Sequence, residues 1–295
     1  MIINEEIVPM IVFKQKQSYI YYILIFFFIS CYSLSAQKSS RDSFVLTVTI
    51  PSKTMNLKHK AMVFLPENYY FNKDSFSVVY LLHGYTGYYN NWYQREPRLS
   101  QYATRYNMII VTPEGTFDSW YLDSPEDTSI RYETYIGKEV PKWINAHFKV
   151  YDKKENRAIC GLSMGGHGAL TIAADYPESY GAASSISGAL DLRKYYLKWN
   201  LKKIIGDIYK YPSRWFTLSF AGKIFIIDKK NPPALLLDCG TEDIFYQTNE
   251  SIHKLLLETG IKHDYFVRPG GHNWSYWKNA LPYHLLFFQK YFENK

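Results

Sequence analysis

The chain has 295 residues, 47% hydrophobic and 21% charged, with only three cysteines. That composition excludes a disordered, collagen-like or disulfide-built chain and allows one large domain or two small ones. The formal net charge is +7, yet the basic residues form no long run and no nucleic-acid motif, so no nucleic-acid partner is expected.

Residues 1–36 read as a targeting segment. Lys14 and Lys16 precede an apolar run over residues 19–29, and Ser30, Ser33, Ser35 and Ala36 follow it. A positive flank, a short apolar core and a small-residue exit make a secretory signal. The run is about 11 residues, too short for a span of ~20. Cleavage is expected near Ala36, with Met10 a candidate start and Cys31 a lipid-anchor alternative. The expectation is an exported protein, periplasmic or secreted, with residues 37–295 as its catalytic domain and no stable membrane span. Cys160 and Cys239 end apolar runs and are expected to be buried free thiols.

Beyond the signal, strand and helix patterns alternate. Residues 44–50 alternate apolar and polar, the mark of a half-buried strand, and residues 60–65 form a second strand ended by Pro66. Residues 75–82 and 108–111 are short, continuously apolar strands of the buried kind. Residues 98–107 read as a helix. So do residues 133–148, where Pro141 threatens a kink. Strands follow at 157–160, 181–187, 234–238 and 263–267, with helices at 165–175, 249–259 and 275–292. This order predicts a mostly parallel sheet covered on both faces, with the first two strands antiparallel. Residues 189–231 break the pattern and read as an insertion over the sheet, before the penultimate strand.

The chemistry concentrates at Gly161-Leu162-Ser163-Met164-Gly165. A serine flanked by glycines, between a strand and a helix, is the nucleophile elbow. A sharp turn lifts the hydroxyl above the sheet, and only glycine avoids collision on either side. The helix start offers free N–H groups to developing negative charge. The hydroxyl needs a base. Among eight histidines, His272 is the one in a glycine-rich loop just past a strand. The orienting acid is expected at Asp243, with Glu242 next, in the loop after residues 234–238. Backbone donors for an oxyanion are expected from Met164 and Tyr85. Trp120 and Trp274 are candidate substrate-lining residues. No metal or cofactor is expected, since the sequence has no H-E-x-x-H, no cysteine–histidine cluster and no P-loop.

Five segments, LLHGYTG (81–87), GLSMGGHGAL (161–170), SGALDLR (187–193), DCGTED (238–243) and GGHNWSYW (270–277), resemble the esterase-D-like branch of the α/β-hydrolases. That branch includes feruloyl and acetyl esterases, tributyrin esterases, S-formylglutathione hydrolases and mycolyltransferases. The resemblance runs from about Phe44 to Phe292. It implies an α/β-hydrolase fold, a Ser163–Asp243–His272 triad and an oxyanion hole at Tyr85 and Met164. Combined with export, it implies a serine carboxylesterase acting on acetyl or feruloyl esters of polysaccharides or small molecules. The alternatives are an acyltransferase with the same triad, an S-formylglutathione-hydrolase-like thioesterase, or a non-catalytic binding protein on the same scaffold.

Overall fold

The computed structural model describes residues 44–295. The signal segment, its cleavage near Ala36 and Cys31 lie outside the described residues. Eight strands form one sheet in the order β1-β2-β4-β3-β5-β6-β7-β8. They are β1 (Val45–Ser52), β2 (Leu57–Phe64), β3 (Ser77–Leu82), β4 (Met108–Pro113), β5 (Arg157–Leu162), β6 (Ala182–Ile186), β7 (Ala234–Gly240) and β8 (Asp264–Arg268). β1 pairs antiparallel with β2, and β2 with β4; every other pairing is parallel. β3, β4 and β5 are buried along their whole length, as continuous apolar strands covered on both faces must be.

Successive side chains point to opposite faces. Val79, Leu81, Ile110 and Cys160 face a core shared with Trp92 of α1 (Asn91–Arg95), Leu99 and Ala103 of α2 (Leu99–Arg105), and Leu281, Leu285 and Phe288 of α10 (Trp274–Glu293). On the opposite face Tyr80 meets Tyr180, whose hydroxyl donates to Ile136 O at 2.6 Å. That face carries α5 (Met164–Asp175) and a composite helix. The composite helix opens as α3 (Tyr132–Thr134), widens into a π turn (Tyr135–Glu139) and continues as α4 (Val140–His147). The π turn accounts for Pro141. Proline has no N–H, and its ring crowds the carbonyl four residues back. That carbonyl, of Gly137, lies in the widened turn, so the helix passes through the proline without breaking.

The insertion is a string of short turns: α6 (Leu201–Ile205), α7 (Pro212–Thr217) and α8 (Phe220–Lys223), with 3-10 turns before and after. It has its own apolar anchors. Leu192, Leu201, Ile204, Ile205, Trp215 and Phe220 are buried. α9 (Tyr246–Glu258) then links β7 to β8. Cys160 and Cys239 are buried free thiols. Among the described residues, no helix is long and apolar enough to cross a membrane.

Candidate active site

Ser163 stands between β5 and α5 at φ 54° and ψ −116°, a region that non-glycine residues rarely adopt. The turn is as tight as its glycines suggest. A Cβ on Gly161 would lie 2.3 Å from the carbonyl oxygen of Gly165. The turn is held by Ser163 N–H donating to Ile186 O at 2.9 Å. Met164 is the first residue of α5, so its N–H has no intrahelical partner.

The loops after β7 and β8 bring the other groups in. A Cβ on Gly240 would lie 2.0 Å from Gly270 O, so these two loops touch backbone to backbone. Glu242 N–H donates to Gly270 O at 3.0 Å, and Thr241 N–H to Arg268 O at 2.9 Å. This contact carries Asp243 to His272. Nδ1 of His272 lies 3.0 and 2.9 Å from the two Asp243 carboxylate oxygens, and its Nε2 lies 2.9 Å from Ser163 Oγ. The Asp243 side chain is wholly buried and also accepts from Phe245 N–H at 2.8 Å. With Nδ1–H donating to a carboxylate, Nε2 is left to accept the serine proton.

The other acids are accounted for. Glu242 is exposed and points its backbone, not its carboxylate, into the loop contact. Asp238 is buried beneath the site, where it accepts from Tyr276 Oη at 2.5 Å and pairs with Arg268 and His284.

The loop after β3 is braced by His83. Its Nδ1 lies 2.9 Å from Gly84 O, and its Nε2 accepts from Gly115 N–H at 2.9 Å. Tyr121 Oη donates to His83 O at 3.1 Å. Tyr85 follows in this loop and lines the same cavity as Ser163. That cavity has a volume of about 580 Å³. Trp120 and Trp274 both line it. Trp120 sits at φ 56°, and its indole N–H donates to Trp199 O at 3.1 Å. His167, behind Trp120, donates from Nε2 to Leu218 O at 3.0 Å; burial pushes its pKa down to about 4, so it stays neutral.

Sequence reasoning missed Arg95, Trp199, Phe245 and Trp277, which also line the cavity. Their signal is weak. Seven tryptophans and 18 phenylalanines are scattered along the chain, and nothing local separates a cavity wall from a core residue.

An open, mostly parallel sheet with helices on both faces and a strained serine at a strand–helix turn define an α/β hydrolase. The chain belongs to the esterase family: the family model described as "Putative esterase" matches residues 52–288. An acetyl esterase of Caldicellulosiruptor saccharolyticus is 28% identical over 221 residues, covering 71% of this chain and 82% of that one. A solved ferulic acid esterase is 27% identical, with a TM-score of 0.71 over 84% of this chain and 98% of the other. A fluorophosphonate-binding serine hydrolase of Staphylococcus aureus shares the fold, with a TM-score of 0.73, 21% identity, and coverage of 83% and 98%. The chain is a carboxylic ester hydrolase by these relationships.

Proposed function

We propose that this protein is an exported serine esterase that removes acetyl- or feruloyl-type acyl groups from polysaccharide or smaller esters through Ser163, His272 and Asp243. The observation that carries this reading is the unbroken chain from Ser163 Oγ to His272 Nε2 and from Nδ1 to Asp243, opening on a cavity. His272 takes the Ser163 proton as Oγ attacks the ester carbonyl. Asp243 stabilises the imidazolium that forms. The N–H groups of Tyr85 and Met164 hold the oxyanion. His272 then gives its proton to the leaving alcohol, and water repeats the cycle on the acyl-enzyme. A 580 Å³ cavity walled by aromatic rings has room for a phenolic acyl group as well as acetyl. Export rests on the signal-like residues 1–36, with the mature chain starting near Gln37.

The test is turnover of p-nitrophenyl acetate, methyl ferulate and acetylated xylan, with Ser163→Ala as control. Activity on at least one is expected, falling on the order of 10⁶-fold in kcat in the variant. Well-folded protein inactive on all three would remove the esterase reading.

A further inference from the structure

The cavity at Ser163 has two unlike walls. On one side ring contacts run from Tyr85 to Trp120 (6.4 Å), Trp199 (6.1 Å) and Phe245 (5.6 Å), and Phe245 meets His272 at 4.9 Å. Through its other contact His272 meets Trp277 at 4.9 Å, and Trp277 meets Trp274 at 5.3 Å. Arg95 belongs to this second wall, with its guanidinium carbon 5.9 Å from the Trp274 ring centre. Among the described residues no Asp or Glu lines the cavity, and Arg95 is its one fixed cation. Arg95 is exposed, and no described carboxylate lies within ion-pair distance of it. Its neighbour Glu96 is buried and held by Arg98 through two bonds of 2.7 Å. Asp118, bonded by Asn200 at 2.9 Å, and Lys198, 5.6 Å from the Trp199 ring, lie near the first wall without lining the cavity.

We infer that Arg95 selects esters whose alcohol carries a carboxylate close to the scissile bond, as an acylated uronic acid does. This rests on the esterase reading above. The leaving alcohol must sit where His272 can protonate it. Asn273 and Trp274 follow His272 in the same loop, and Arg95 lies against Trp274. That half offers a planar guanidinium, which pairs two-pronged with a carboxylate, beside flat indole faces. The opposite wall is rings without a charged group in the lining, a setting for the acyl part.

The experiment compares acetate release from acetylated methyl galactopyranosiduronate and acetylated methyl galactopyranoside, which differ only by carboxylate against hydroxymethyl. The full-length protein is expected to favour the uronate in kcat/KM by roughly two- to fivefold at low salt, a range set by exposed ion pairs. The ratio should shrink as salt rises. It should approach one in Arg95→Gln, recover in part in Arg95→Lys, and persist in Lys153→Gln, which removes an exposed positive charge before the amino end of β5, opposite the end that carries Ser163. Equal rates in the parent protein would overturn the inference. So would a ratio indifferent to Arg95→Gln, or one lost equally in Lys153→Gln. Preference for a hemisuccinate of the neutral sugar over the uronate would overturn the placement of the charge on the alcohol. Calorimetric titration of Ser163→Ala with oligogalacturonate and the matching galactose oligomer reads the same preference without turnover. Failure of the esterase reading would instead abolish cleavage of p-nitrophenyl acetate together with both sugar esters.

Discussion

Ser163 occupies a backbone conformation that costs free energy wherever it occurs, and the residues around it are chosen to tolerate that. Gly161 is the sharpest case. Its missing Cβ leaves room for the Gly165 carbonyl, and both atoms involved are backbone, so neither can step aside alone. Gly161→Ala is therefore expected to lower stability by about 2–3 kcal/mol, read as a lower denaturant midpoint, and to slow fluorophosphonate labelling of Ser163. A midpoint equal to that of the parent protein would mean the turn has slack that the structure does not show. Asp243 makes a different contribution. It fixes which imidazole nitrogen carries the proton, since Nδ1 faces both carboxylate oxygens. Asp243→Asn keeps the shape but lets the amide donate, which favours the wrong tautomer. A fall in kcat of about 10⁴-fold with a nearly unchanged KM is expected, and an equal fall in both constants would assign Asp243 a different role.

Elements were legible where their physics is local. Short apolar runs marked the central strands, which are buried on both faces, while β1 showed the alternation of a half-buried strand. β4, β5 and β7 run two residues beyond the apolar run, β7 through Cys239 and Gly240, where backbone pairing to β8 continues after the side-chain pattern ends, whereas β3 and β6 are shorter than the runs at 75–82 and 181–187. The five-residue α1 had too few positions to show a period. The elbow and the loop histidine were legible because their geometry demands rare residues at fixed places. The rest of the cavity wall was not, because Trp199 and Phe245 meet only after the chain has folded back on itself. The π turn was equally hidden, although Pro141 pointed to a disturbance. Just before that turn, Glu133 carries a half-buried carboxyl whose pKa is pushed up, first by desolvation and then by the Asp175 carboxylate at the end of α5. Asp175 is itself paired with Lys223 of α8 at 2.6 Å. Glu133 thus holds its proton more tightly folded than unfolded. Stability from this group is present below the ordinary carboxylate range and is lost as pH rises toward the raised value. Glu133→Gln should flatten the decline of Tm between pH 5 and 8 and raise Tm at pH 8. A parallel pH profile in parent and variant would show that the cluster does not set it.

Across the whole molecule, the same three side-chain types come together twice, and burial decides which set can react. Between the sheet and α10, Ser184 Oγ lies 2.8 Å from His284 Nδ1, and His284 Nε2 lies 3.3 Å from Asp238. All three residues are completely inaccessible, whereas His272 keeps 20% of its side chain exposed. Ser184 sits within β6 in ordinary strand pairing, with no helix start behind it and no cavity before it. Its network ties α10 to the middle of the sheet. Through Tyr276 and Arg268, Asp238 also steadies the loop that presents His272. A polar network of this kind stabilises only while complete, since each lost partner leaves a buried group unpaired. Ser184→Ala is expected to cost about 1 kcal/mol and to leave fluorophosphonate labelling at its normal rate. Asp238→Asn is expected to cost about 3 kcal/mol, because His284 and Arg268 lose a buried carboxylate. Ser163→Ala should abolish labelling outright. Residual labelling at Ser184 in that variant would mean the core opens far enough for reagent to enter, and that accessibility does not separate the two sets.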